Sequence, residues 1–148
     1  MLRELNVNWI TWMDWVWLNQ DEIKDILSGY RVHELDLEAC LEQNQKARID
    51  TYKKYSFLIF HFPKYDKKLQ IYKLNEFSIF FWKDKLITFR KFSWGHIDKI
   101  FKHYDELKIA RKNPIKITSG YIIYEMIQVM LEKMFKLIKP LLNLKIFI

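Results

Sequence analysis

Four histidines, one cysteine and eighteen carboxylates are the residues of this chain that could ligate a metal or move a proton. His33, His61, His96, His103 and Cys40 fall at no zinc-binding spacing, and no HExxH pair is present. His96 and His103 stand seven apart in a helical pattern with Asp98 and Asp105 beside them, the arrangement of a solvated helix face. His61 lies inside an apolar run, where a hydrogen-bonded core histidine is expected. Gly29, Gly95 and Gly120 are isolated, so neither GxGxxG nor GxxxxGK[ST] can be built, and a GxSxG elbow is absent. Trp9, Trp12, Trp15 and Trp17 are dense enough for a base-stacking platform. Core packing with an aromatic surface patch explains them more simply. No catalytic constellation emerges, and the chain is not expected to be an enzyme.

The charge pattern narrows the partners. The formal net charge is +7, but the lysines occur in ones and twos, as at Lys53–Lys54 and Lys67–Lys68. Without a block of five or six like charges, an RNA-binding aromatic signature or zinc-finger spacing, no nucleic acid is expected. A basic nucleic-acid-binding domain remains the most distant of the readings carried forward. The N-terminus, MLRELNVNW, has no apolar signal region, and no apolar stretch of about 18 residues exists, so no membrane span is expected. The chain should be cytoplasmic. A single cysteine fits a reducing compartment. At 148 residues, half of them hydrophobic, residues 1–148 read as one domain with a real core.

The elements that must position any site follow from periodicity. Residues 9–14 are aromatic and β-branched and predict a strand. Asn19 followed by Glu22 is a capping box, and Ile23, Ile26, Leu27 and Tyr30 form one apolar helix face that Gly29 ends. Residues 35–41 predict a short second helix. Residues 56–62 (SFLIFHF) predict an interior strand stopped by Pro63, paired with an alternating strand over 72–82 in which Phe77, Ile79 and Phe81 share a face. Lys83–Asp84 turns the chain into a strand over 85–90. From Ser93 a helix is expected until Asn113–Pro114, and a last helix spans 121–138, apolar on more than half its circumference. The expected fold is α+β, an α/β/α three-layer sandwich. Its mixed, largely antiparallel sheet should have four or five strands with helices on both faces.

The run from Val32 to Pro63, VHELDLEACLEQNQKARIDTYKKYSFLIFHFP, resembles the CorA-type magnesium/cobalt transporter family, which reads H-P-L-x-L-E-D-x-L and then Q-R-P-K-x-x-x-Y-x-x-Y-x-F-x-V-L. His33, Leu35, Leu37, Glu38, Leu41, Gln45, Tyr52, Tyr55 and Phe57 stand at matching positions. TWMDW at 11–15 is similar to the family's T-W-I-D-L strand, and GYIIYEMI at 120–127 to its last helix start. The resemblance implies the N-terminal cytosolic α/β/α domain of a homopentamer. In the family this domain binds regulatory divalent cations between subunits, ahead of a stalk helix, two membrane helices and a Gly-Met-Asn signature. Hard cations want several oxygen ligands, so carboxylates from two chains bridged by Mg2+ tie those chains together.

The departures are equally specific. The family's Glu-Asp pair is Glu38–Ala39 here, the acidic positions of the last helix are Gln128 and Glu132, the proline after the histidine is Glu34, and Q-R-P-K reads Gln45-Lys46-Ala47-Arg48. Of the carboxylates the resemblance assigns to metal, Glu38 and Glu132 remain, as a weak or vestigial site. No cofactor is expected to be required, with Mg2+ or Co2+ at most weakly bound. The stalk, membrane helices and pore signature are expected to be missing from this chain. The implied function is a cytosolic regulatory and assembly domain of a transporter resident in the inner membrane, unable itself to conduct ions. Copies of itself or full-length subunits would be its partners. The alternative is a stand-alone, truncated interaction protein on the same fold. Residues 141–148 (LLNLKIFI) are too short for a membrane anchor and are expected to be disordered or to meet another copy.

Overall fold

The computed structural model describes residues 1–42, 44–110 and 117–146, with side chains placed for all of these except 108–110 and 141–146. In chain order the elements are β1 (Leu2–Val7), β2 (Ile10–Val16), α1 (Gln20–Ser28), α2 (Glu34–Leu41), β3 (Arg48–Thr51), β4 (Tyr55–Asp66), β5 (Ile71–Trp82), β6 (Lys85–Arg90), α3 (Gly95–Ala110) and α4 (Ser119–Ile146). The strands form one sheet in the order β1-β2-β6-β5-β4-β3. Only β2 and β6 run parallel; every other neighbouring pair is antiparallel. The mixed, largely antiparallel α/β/α sandwich expected from the sequence is the fold observed, with six strands instead of four or five.

Alternation along the strands explains the three layers. In β4, Phe57 and Ile59 turn to the α1–α2 side with Phe80, Ile87 and Phe89, while Leu58, Phe60 and Phe62 turn to the α3–α4 side with Trp12, Phe77, Ile79 and Leu86. Both faces of this strand are covered, which is why its sequence is an unbroken apolar run. The pairing of β4 with β5 holds one register from Tyr55↔Trp82 to Asp66↔Ile71.

Pro63 does not stop β4. The strand continues to Asp66 because β3 pairs only with residues 56–59, leaving the later part of β4 at the sheet edge. The Tyr55 carbonyl accepts from the Tyr52 N–H, so odd-numbered residues of β4 aim their backbone groups toward β3. Pro63 therefore lacks its N–H on the side that needs none.

Two strands escaped the periodicity. β1 places Leu5 and Val7 in the core, then turns at Asn8, whose φ of 54° is one that asparagine tolerates well. β3 (RIDT) is a short, largely exposed, charged edge strand, and such strands carry no hydrophobic signal. Trp9 belongs to the β1–β2 turn and not to β2.

The capping box of α1 is present, with the Glu22 N–H donating to Asn19 Oδ1 at 2.9 Å and the Asn19 N–H to Glu22 Oε2 at 2.8 Å. α4 begins at Ser119, with Thr118 Oγ1 accepting from the Tyr121 N–H at 3.1 Å. Ser119 Oγ ties this end to the sheet by donating to the Trp82 carbonyl at 2.7 Å. α4 extends beyond the expected residue 138, through Pro140, to Ile146. The break expected at Asn113–Pro114 lies outside the described residues; of the tail expected to be disordered or to meet another copy, residues 141–146 instead continue α4, and 147–148 lie outside the described residues.

Candidate functional site

α2 is mounted on the sheet by a chain of aromatic and polar contacts. His33 caps the helix, its Nδ1 accepting from the Leu35 N–H at 3.2 Å. The His33 backbone N–H donates to the Tyr55 hydroxyl at 2.6 Å, and that hydroxyl donates to Asp36 Oδ2 at 2.8 Å. His33 stacks on Tyr52, and Tyr52 on Tyr55, with ring centroids 5.6 and 4.8 Å apart. His33, Tyr52 and Tyr55 of the Val32–Pro63 segment thus hold α2 in place.

Between α2 and β3 this mounting leaves a groove of ≈ 290 Å³ lined by Asp36, Glu38, Glu42, Arg48 and Asp50, among others. Glu38 is exposed there, while Asp36 is buried with an Oδ1 that accepts no hydrogen bond. Burial pushes the Asp36 carboxyl above its ordinary value, against the hydrogen bonds of Tyr55 and Tyr52. Arg48 lies 3.7 Å from Asp36 Oδ1 and 2.8 Å from Asp50 Oδ2, so it neutralises part of the cluster. Among the described residues, no group of three histidine, cysteine or acidic side chains has the geometry to hold a metal ion.

Glu132 is exposed on α4, across the sheet from Glu38. One chain does not bring the two expected ligands together. Ala39, where the resembling family has an acid, is 4% exposed and packs in the α1–α2 core while bordering the groove. Sequence reasoning missed Asp36, Glu42 and Asp50 as the carboxylates that line the groove with Glu38. The i, i+4 spacing of Glu38 and Glu42 was the available signal for one of them.

α4 has two faces. Ile122, Ile123, Met126 and Met130 are buried against the sheet and α3. On the outer side Tyr124, Leu131, Phe135 and Ile138 are exposed, at spacings of seven, four and three residues. These are a/d spacings of a coiled-coil seam.

The remaining candidates are structural. Beneath α3, Asp14 is fully buried between Arg90 and Arg3. Burial pushes its carboxyl upward, but the hydrogen bonds and charges of Arg90, with the hydrogen bonds of Arg3 and Thr88, prevail and hold it below the ordinary carboxylate value. Trp12 and Trp15 pack inward, whereas Trp9 and Trp17 are exposed at opposite ends of β2 and cannot form one patch. His61 faces Glu76 at 3.4 Å in the wall of a ≈ 390 Å³ cavity, half-buried instead of sealed in the core. His103 is exposed on α3 and His96 half-buried. Burial raises the Cys40 thiol to about 12, which removes it as a thiolate at neutral pH.

Comparison with known proteins agrees with this geometry. No curated protein matches the chain. Among solved structures, the full-length CmaX protein superimposes with a TM-score of 0.73 at 12% identity, covering 90% of this chain and 39% of that one. The complete CorA magnesium transporter of Methanocaldococcus jannaschii gives 0.68 at 14% identity, covering 96% and 44%. The ZntB cytoplasmic domain of Vibrio parahaemolyticus RIMD 2210633 gives 0.65 at 14% identity, covering 94% and 55%. At these identities the structures attest the fold, and this chain spans about half or less of their lengths. The family described as CorA-like Mg2+ transporter protein matches residues 8–143, and the chain belongs to that family.

Proposed function

We propose that this chain is the cytosolic regulatory and assembly domain of a CorA-like divalent cation (Mg2+/Co2+) transporter, working in a homo-oligomer and not itself conducting ions. The observation that carries the reading is the exposed Tyr124, Leu131, Phe135 and Ile138 stripe on α4, an apolar seam on a helix whose other face is already buried. Such a seam is costly in water and is covered by a second helix of the same kind. No helix among the described residues is long and apolar enough to cross a membrane, so conduction would belong to other parts of a larger assembly.

Regulation would come from cations between copies. Glu38 and Glu132 lie on opposite sides of one sheet, so an ion that meets both must sit between two chains. Such binding is weak here. Asp36 is committed to Tyr55, Arg48 compensates Asp50, and Ala39 and Gln128 supply no charge. A hard cation with so few free carboxylates recovers little of its dehydration cost. This deficit also favours a second reading, a stand-alone interaction protein that assembles on the same seam without metal control.

Sedimentation of the purified chain with and without Mg2+ or Co2+ tests the proposal. Concentration-dependent oligomers that Leu131→Glu disperses are expected, with metal shifting the equilibrium only at millimolar levels. A strict monomer under all conditions would overturn assembly. Oligomers wholly indifferent to both metals would favour the second reading.

A further inference from the structure

The β4–β5 hairpin carries a feature that neither assembly nor metal control requires. β3 covers β4 only at residues 56–59, and β6 covers β5 only at residues 77–81. Beyond those limits, residues 60–66 and 71–76 form a two-stranded ribbon paired only with itself, roughly 20 Å long at about 3.3 Å per residue. Phe62, packed on Trp94 at 4.8 Å between centroids, secures its base. Its outer end is open to solvent.

The side chains of that outer end are an unusual mixture. Tyr65, Leu69, Ile71, Tyr72 and Leu74 are 46%, 58%, 48%, 57% and 70% exposed. Interleaved with them are Lys64, Lys67, Lys68 and Lys73 against one acid, Asp66. Asp66 is spent internally: Oδ1 accepts from the Lys68 and Leu69 N–H groups at 3.0 and 3.1 Å, and Oδ2 pairs with Lys73 at 2.8 Å. Lys64 is tethered to the Ser93 carbonyl at 3.3 Å. Lys67 and Lys68, in the turn itself, make no ion pair among the described residues. The tip is thus folded and fastened, with Lys67 and Lys68 exposed in its turn beside the exposed Leu69 and Ile71.

We propose that this hairpin tip docks on the surface of an anionic phospholipid bilayer. Lys67 and Lys68 would meet lipid phosphates, Leu69 and Ile71 would enter the headgroup–acyl boundary, and Tyr65 and Tyr72 would lie at the interface, where tyrosine is enriched. A nucleic acid fits less well. The tip's exposed apolar groups are aliphatic apart from two tyrosines, and these pack on each other at 5.0 Å instead of standing apart to stack on bases. The ribbon lies at the far end of β4 from the α2 groove, and the proposal does not rest on the transporter reading.

The test is co-sedimentation of the full chain with equimolar phosphatidylglycerol–phosphatidylcholine vesicles and with pure phosphatidylcholine vesicles, each over a salt series. Binding to the anionic vesicles is expected, falling with salt. Each lysine near such a surface contributes roughly a fivefold gain in partitioning, so Lys67→Glu with Lys68→Glu should reduce binding at least about 25-fold. Leu69→Ser with Ile71→Ser should remove the salt-resistant part. All four positions are exposed, so melting curves of both variants should match the parent. Equal binding to both vesicle types, or anionic binding unchanged in both variants, overturns the proposal and transfers any affinity to α4. It is equally overturned if the lysine variant loses binding to a single-stranded RNA oligomer while the parent ignores vesicles, or if the variants disperse oligomers and leave vesicle binding intact.

Discussion

Arg90 grips Asp14 with two hydrogen bonds, Nε to Oδ1 at 3.2 Å and Nη2 to Oδ2 at 2.8 Å, with both side chains almost wholly buried. The same carboxylate accepts from Thr88 Oγ1 at 2.8 Å and pairs with Arg3 at 2.5 Å, and Arg3 reaches on to Asp98 at the start of α3. Two cations and one hydroxyl therefore surround one buried anion. Breaking such a pair leaves a buried charge uncompensated, at a cost of about 3–5 kcal/mol. Asp14→Ala should lower unfolding free energy by that amount in urea titrations, and Thr88→Val by about 1–3 kcal/mol, because Asp14 and the Trp12 indole both lose a partner. A loss below 1 kcal/mol in Asp14→Ala would refute the network's role.

The same pair sets an acid limit. The folded state holds the Asp14 carboxyl below its ordinary value, so the unfolded chain binds this proton more readily. Its stabilisation is complete above about pH 4 and is lost as pH falls through the folded value. Asp36 acts in the opposite sense. Its value is raised on folding, so it lowers stability as pH rises past the ordinary carboxylate range. Asp36→Asn keeps an oxygen for the Tyr55 hydroxyl, and it should flatten the decline in stability as pH rises above the ordinary carboxylate range, without touching the acid limit. Urea midpoints measured across pH 2–7 on both variants separate the two contributions.

The α1 cap is a purely local prediction. Asn19→Ala removes the acceptor for the Glu22 N–H and should cost about 1 kcal/mol. Thermal melts of Asn19→Ala and Asn19→Asp distinguish capping from burial, since aspartate should restore most of the loss.

The α4 stripe yields a separation of stability from assembly. Leu131→Glu and Phe135→Glu alter side chains that are 49% and 68% exposed in the single chain. Each should leave the monomer's unfolding within about 0.5 kcal/mol of the parent and shift self-association toward monomer. Sedimentation equilibrium read beside denaturant titration checks both halves.

Metal control offers a different contrast. Glu38→Gln should abolish whatever millimolar Mg2+ response the chain shows in calorimetry, whereas Ala39→Asp is a poor way to rebuild a site. Ala39 packs in the α1–α2 core, so an aspartate there first meets a desolvation cost. A micromolar Mg2+ site in the unaltered chain would show that other carboxylates serve.

The β4–β5–β6 run was legible because both-face burial and strict alternation leave clear marks, and Lys83–Asp84 marks the turn between β5 and β6. Asn19 and Glu22 likewise spell their own helix start. β1 and β3 left no such mark. β1 buries only Leu5 and Val7, and the charged edge strand β3 buries almost nothing. Pro63 misled because a proline's effect depends on whether its missing N–H faces a neighbour, which is a property of the sheet. The residues around Glu38 were hidden for a similar reason. Asp50 reaches the groove from β3, a short, charged strand that periodicity does not mark. The Asp14–Arg90 pair spans 76 positions, and no spacing rule links them.

The parallel contact of β2 with β6 has a consequence for how the chain reaches this shape. β1–β2, β3–β4, β4–β5 and β5–β6 each join close neighbours in sequence, but β2 meets β6 only by closing a loop that contains α1, α2 and three strands. That closure loses the most chain entropy and is repaid last. Two separately formed ribbons, β1–β2 and β3–β4–β5–β6, should therefore meet near the end of folding, with the Asp14–Arg90 pair sealing the join. Asp14→Asn would then hasten unfolding while leaving the refolding rate nearly unchanged in a chevron experiment. A refolding rate that fell in proportion to the lost stability would instead place the seam in the nucleus.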